Sequence, residues 1–256
     1  LIGIEDVLGI ALVVVAGLLL LAFGIPGWKP RRFTLRSIPA FARLWKSISL
    51  TIEDGKRVHV TLGNSSLLKA TNASALVGFS SLERIAQLSI ASDSPPIATS
   101  GEGSLTILSQ DSLRYIYRRA NSLRQFDLSS GRMTGATPYS YVVGTMPVIY
   151  DGNVSTNILI GNYGPEIIYI NEAAEHRGIY TLATSDSLSA QAVLYAAAVD
   201  PLIGEELFAI PAYMKFNRYH EASLHAQDVL RWILVAVLLG GVAYVLLQQL
   251  LGSTFP

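Results

Sequence analysis

Two long apolar runs bracket this chain, and every one of its 19 Lys and Arg residues lies between them, from Lys29 to Arg231. The first run has no charged or strongly polar side chain from Val7 to Phe23 and continues through Pro26 to Trp28; the second covers Trp232 to Leu251. A helix needs about 20 such residues to cross the hydrocarbon core of a bilayer. Two transmembrane helices are therefore expected, within residues 1–28 and 228–256, with a single large segment between them. A secretory peptide would place basic residues ahead of its apolar run, whereas here Glu5 and Asp6 precede it and Lys29, Arg31 and Arg32 follow.

The same basic residues set the expected orientation. Lys29, Arg31, Arg32, Arg36, Arg43 and Lys46 crowd the exit of the first run, with no acid until Glu53. Lys and Arg beside a span are retained on the cytoplasmic side. The central segment is thus expected in the cytoplasm, with both termini outside and the lipid bilayer as a partner. Composition agrees, because only 15% of residues are charged where a soluble domain has about a quarter. The balance of 19 acidic against 19 basic residues argues against a nucleic-acid partner. With no Cys in the chain, disulfides, thiolate nucleophiles, iron–sulfur clusters and Cys-ligated zinc are excluded.

Residues 29–52 read as a basic juxtamembrane amphipathic helix, since Ile38, Phe41, Leu44, Trp45 and Ile48 recur at helical spacing opposite Arg43 and Lys46. From 53 to 227 the chain alternates short apolar runs with helical patterns. Val58, Val60 and Leu62 alternate with His59 and Thr61 as one strand, and further strands are expected at 97–100, 133–137, 157–160 and 179–184. Helical patterns follow them near 73–91, 105–121, 139–149, 165–176 and 188–199. Five such units predict an α/β domain, Rossmann-like, with a mainly parallel sheet of about five strands inserted between the two spans. Gly63, Gly101, Gly135 and Gly161 mark the proposed strand ends, where the chain turns sharply into a helix. These turns share the carboxyl edge of the sheet, the place where open α/β sheets hold their ligands.

Two segments carry a resemblance. The run Glu53-Asp54-Gly55-Lys56-Arg57-Val58-His59-Val60-Thr61-Leu62-Gly63 and the later Asp200-Pro201-Leu202-Ile203-Gly204-Glu205-Glu206-Leu207-Phe208-Ala209 resemble an uncharacterised bacterial membrane-protein family with a domain of unknown function. The resemblance extends from about Phe33 to Trp232. It implies a membrane-anchored α/β domain in a bacterial cytoplasmic membrane and brings no catalytic residues with it.

Chemical motifs are sparse. Gly101-Glu102-Gly103 and Gly161-Asn162-Tyr163-Gly164 do not complete G-x-G-x-x-G, and neither G-x-x-x-x-G-K-[ST] nor G-x-S-x-G occurs. His220 and His225 stand five apart, a poor spacing for a metal. No catalytic residue, cofactor or metal site is therefore assigned. The candidate crevice comprises Gly63, Asn64, Gly101, Gly135, Gly161 and Glu166, the last expected in a first helical turn where the dipole favours a carboxylate. Glu205 and Glu206 interrupt an apolar stretch and form a candidate carboxylate pair, although a loop cap or an ion pair with an arginine from another element is the favoured explanation. Ala236, Gly240 and Gly241 give the second span a small-residue packing face. The expected function is a membrane-anchored scaffold, homo-oligomeric or part of a larger assembly. The alternative is a small-ligand sensor or enzyme that uses the glycine-lined edge.

Overall fold

Strand and helix alternate through the middle of the chain, and such units close into a parallel sheet because each crossover helix returns the chain to the same edge. The computed structural model describes residues 3–24, 36–64, 72–92, 94–214 and 218–252. The chain divides into two compact units, one of Arg36–Phe216 and one of Leu1–Leu35 with Asn217–Pro256.

In the first unit six strands, β1 (Arg57–Gly63), β2 (Ile97–Ser100), β3 (Gly131–Met133), β4 (Val154–Asn162), β5 (Tyr180–Ser185) and β6 (Asp200–Leu202), form one all-parallel sheet. Their order is 3-2-1-4-5-6, the doubly wound Rossmann order, with its reversal between β1 and β4. Two corrections to the sequence reading follow. The third strand runs from Gly131 to Met133 rather than 133–137, because the chain beyond it turns at Gly135 to let Thr137 cap the next helix. There is also a sixth strand, β6, whose Pro201 and three-residue length leave no alternation to read.

Each face of the sheet has its own helical layer. Val58, Val60, Leu62, Ala98, Ile158, Ile160, Leu182 and Leu202 point to one face. They are covered by α2 (Pro39–Glu53), α3 (Asn72–Ser89), α4 (Gly103–Arg119) and α8 (Glu206–Tyr213). The helices α5 (Pro138–Asp151), α6 (Ile168–His176) and α7 (Leu188–Ala197) cover the other face. Thr137 and Ser140 start α5 with a reciprocal capping box.

The apolar stripe of α2 packs on the sheet. Phe41, Leu44 and Ile48 are buried there, Ser47 and Thr51 hydrogen-bond Thr156 of β4, and Arg43 makes a forked ion pair with Asp200 of β6. Residues 36–52 thus belong to the α/β unit rather than to a separate juxtamembrane element; residues 29–35 lie outside the described residues. Asp200 is buried, which alone would raise its pKa, but the Arg43 guanidinium and the Tyr180 hydroxyl outweigh burial and hold it below the usual carboxylate range.

The second unit pairs α1 (Ile4–Gly24) with α9 (Arg218–Gly252). Within α9, Tyr219–Gln249 is the one helix among the described residues long and apolar enough to cross a membrane. The apolar part of α1, Gly9–Gly24, is shorter than that, and the continuation of its run to Trp28 lies outside the described residues. The helix that carries the second apolar run thus extends back to Arg218, and among the described residues only this one of the two expected spans meets the length required.

Candidate functional site at the carboxyl edge of the sheet

The strand order reverses between β1 and β4, whose following helices diverge to opposite faces, the position at which open α/β sheets hold their ligands. Gly63 ends β1 at φ +68°, a left-handed conformation that glycine adopts without strain. Asn64 follows it, and its N–H donates to the Asn162 carbonyl at 3.0 Å, tying the ends of β1 and β4 together. On the other side, the Gly101 N–H donates to the Gly63 carbonyl at 2.9 Å, and Gly101 stands directly against the Asn64 side chain. Gly135 closes the group from beyond β3. A Cβ there would lie 2.3 Å from the Ser140 carbonyl carbon, so only glycine permits this approach to α5. Gly161 differs from expectation, since β4 continues to Asn162 and holds Gly161 inside the strand against the Leu62 backbone.

The structure thus brings together Gly63, Asn64, Gly101, Gly135 and Gly161 across four adjacent strands. Glu166 opens the turn before α6, where it is buried and one carboxylate oxygen accepts from the Gly164 N–H at 2.8 Å. An internal carboxylate therefore already satisfies this turn. Glu205 and Glu206 lie at the far end of the same edge and start α8, Glu205 as its N-cap residue and Glu206 in its first turn. Among the described residues the Asn64 amide oxygen, buried at the centre of the group, has no hydrogen-bond partner.

Below the crevice lies a polar network that the sequence reading did not assemble. His59 is fully buried on the α5–α7 face, with Nδ1 2.8 Å from Asn157 Oδ1 and Nε2 2.9 Å from Thr99 Oγ1. With the amide oxygen as acceptor, Nδ1 carries the proton and Nε2 accepts from the threonine hydroxyl. Burial lowers the His59 pKa to about 4, so the ring is neutral near pH 7. The Tyr141 hydroxyl, 3.2 Å from Thr99 Oγ1, extends the chain toward the crevice. Tyr163 bonds Thr61 beside it. Burial raises the pKa of Tyr141 to about 12 and moves Tyr163 further in the same direction. At the other end Asn157 Nδ2 and Thr181 Oγ1, on paired positions of β4 and β5, are buried without partners.

Chemically this is an uncharged set of donors and acceptors. Burial keeps its histidine neutral and its tyrosines protonated near pH 7. No group of three or more His, Asp or Glu side chains converges among the described residues. The loops and first helical turns of this edge contribute Glu102, Glu166, Asp186, Glu205 and Glu206, and no Lys or Arg among the described residues.

A family model described as a domain of unknown function, DUF6754, matches residues 5–255. The chain belongs to this family. Neither the curated proteins nor the solved structures yield a match. Because the DUF6754 match covers α1 and α9 as well as the sheet, the family unit includes the helical pair together with the α/β domain.

Proposed function

We propose that the chain is a membrane-anchored binding module whose cytoplasmic α/β unit takes a small, uncharged or donor-rich polar ligand between β1 and β4. The observation that carries this reading is the reversal of strand order at β1 and β4, with the buried, unpartnered Asn64 oxygen at that point. The apolar α9 supports the anchor. Confinement of Lys and Arg to residues 29–231 supports an arrangement with both termini outside a bacterial cytoplasmic membrane. The neutral network beneath the crevice fits binding better than acid–base turnover.

A thermal-shift screen of the detergent-solubilised chain against amino acids, nucleosides and polyols tests this function. A ligand that raises the melting temperature should lose its effect in Asn64→Leu while that variant stays folded. Absence of any such ligand, or equal binding by the variant, overturns the assignment.

A second reading, assembly into a homo-oligomer, draws on the exposed apolar and aromatic side chains Tyr139, Val143, Tyr169, Leu188 and Tyr195 of the α5–α7 layer. In the span, Gly240 and Gly241 face open space, as do Gly9 and Gly17 of α1, so this packing face is unfilled within one chain. Gly240→Leu should lower the particle mass in detergent. An unchanged mass removes α9 from the interface.

A further inference from the structure

At the opposite edge of the sheet, a cavity of about 360 Å³ is lined by Lys56, Ile149, Tyr150, Asn153, Val154, His176, Arg177 and Ile179. Its cationic and imidazole side chains arrive from two separate places. Lys56 belongs to the turn entering β1, while His176 and Arg177 end α6. Among the described residues no carboxylate lines it. Asp54 pairs with Lys56 at 3.7 Å and Glu172 with His176 at 3.6 Å, both from outside the lining and both loosely. Arg177 gives one N–H to the Tyr150 carbonyl at 2.7 Å, which fixes its guanidinium beside the cavity.

The carboxyl ends of α5 and α6 also meet here, and their dipoles oppose an anion. Each contributes roughly half a negative charge, about −1 together. Against this stand the full positive charges of Lys56 and Arg177. Asp54 and Glu172 offset part of that charge from outside the lining, so the site rests on the directed donors of Lys56 and Arg177 rather than on a net positive charge. A guanidinium and an ammonium facing one small space match the oxygens of a tetrahedral oxyanion, with Asn153 and Tyr150 as neutral partners.

We propose that this amino-edge cavity is a binding site for a phosphate-type anion, separate from the carboxyl-edge crevice. A free phosphate compound and a phospholipid headgroup present the same chemistry, so the test distinguishes them.

Inorganic phosphate is titrated into the purified full-length chain in neutral detergent and followed by calorimetry at low ionic strength. Saturable binding is expected, weakened about tenfold by Arg177→Ala and further by Lys56→Ala with Arg177→Ala. Arg177→Lys should retain part of it, and Arg119→Ala, on the exposed face of α4, should leave it unchanged. Circular dichroism confirms that each variant is folded. The titration is repeated in nanodiscs of phosphatidylcholine with and without phosphatidic acid. Loss of phosphate binding only with phosphatidic acid identifies the headgroup as the source; equal binding in both identifies a soluble anion. No saturable binding, or binding insensitive to the Lys56 and Arg177 changes in folded protein, overturns the proposal.

Discussion

His59 illustrates how one buried side chain ties stability to pH. Its pKa falls from 6.5 to about 4 on folding, chiefly through burial. Between those values the unfolded chain binds a proton that the folded chain refuses, so stability is fully present above pH 6.5 and is lost as pH falls toward 4. The loss is expected to reach about 3 kcal/mol across that window. Urea midpoints of wild type and His59→Gln at pH 7 and pH 5 measure it, and the variant should show a markedly smaller difference between the two. At the crevice, Gly135→Ala should destabilise the α/β unit by about 2 kcal/mol or more, because its Cβ meets the α5 backbone. Gly103→Ala, where a Cβ meets open space in the first turn of α4, should be neutral or stabilising by up to about 1 kcal/mol. At this scale the sequence showed His59 only as one residue of an alternating strand. It could not show its partners, since Asn157, Thr99 and Tyr141 come to it only through strand register and helix packing.

Among the elements, the strands of the sheet centre were legible because each alternates and ends in a turn residue. The edges were not. β3 and β6 have three residues each, too few for a period to emerge. The amphipathic pattern of α2 was read correctly as a helix, but hydrophobic periodicity names a buried face without naming what buries it. Here the sheet covers it. Leu44 is fully buried among β1, β4 and β5 contacts of α2, so Leu44→Ala should cost about 3 kcal/mol of stability in chemical denaturation. A helix lying on a membrane surface instead would leave the stability of the α/β unit nearly unchanged by that substitution.

For the whole molecule, Gly63, Gly101 and Gly135 were foreseen from their turns while Gly161 proved to lie inside β4, and the place where strand order reverses became visible only with the topology. Sequence adjacency does not encode which strand lies beside β1, and β4 joins it from more than ninety residues away. The orientation in the membrane is open to a direct check. The exposed turn at Gly204, where a Cβ meets open space, accepts an epitope better than the packed Gly101. With the α/β unit in the cytoplasm, protease added to intact, wall-stripped cells should spare that epitope and remove it only after lysis.

Pro201 bears on how copies of this molecule can meet. It occupies the middle of β6, the outermost strand on one side, and takes one amide donor away from an edge only three residues long. The opposite margin, β3, is equally short. Neither offers the row of free backbone groups that another strand needs as a template. The sheet is thereby a closed object for lateral growth, protected from edge-to-edge polymerisation, and any association between α/β units is directed to their helical surfaces.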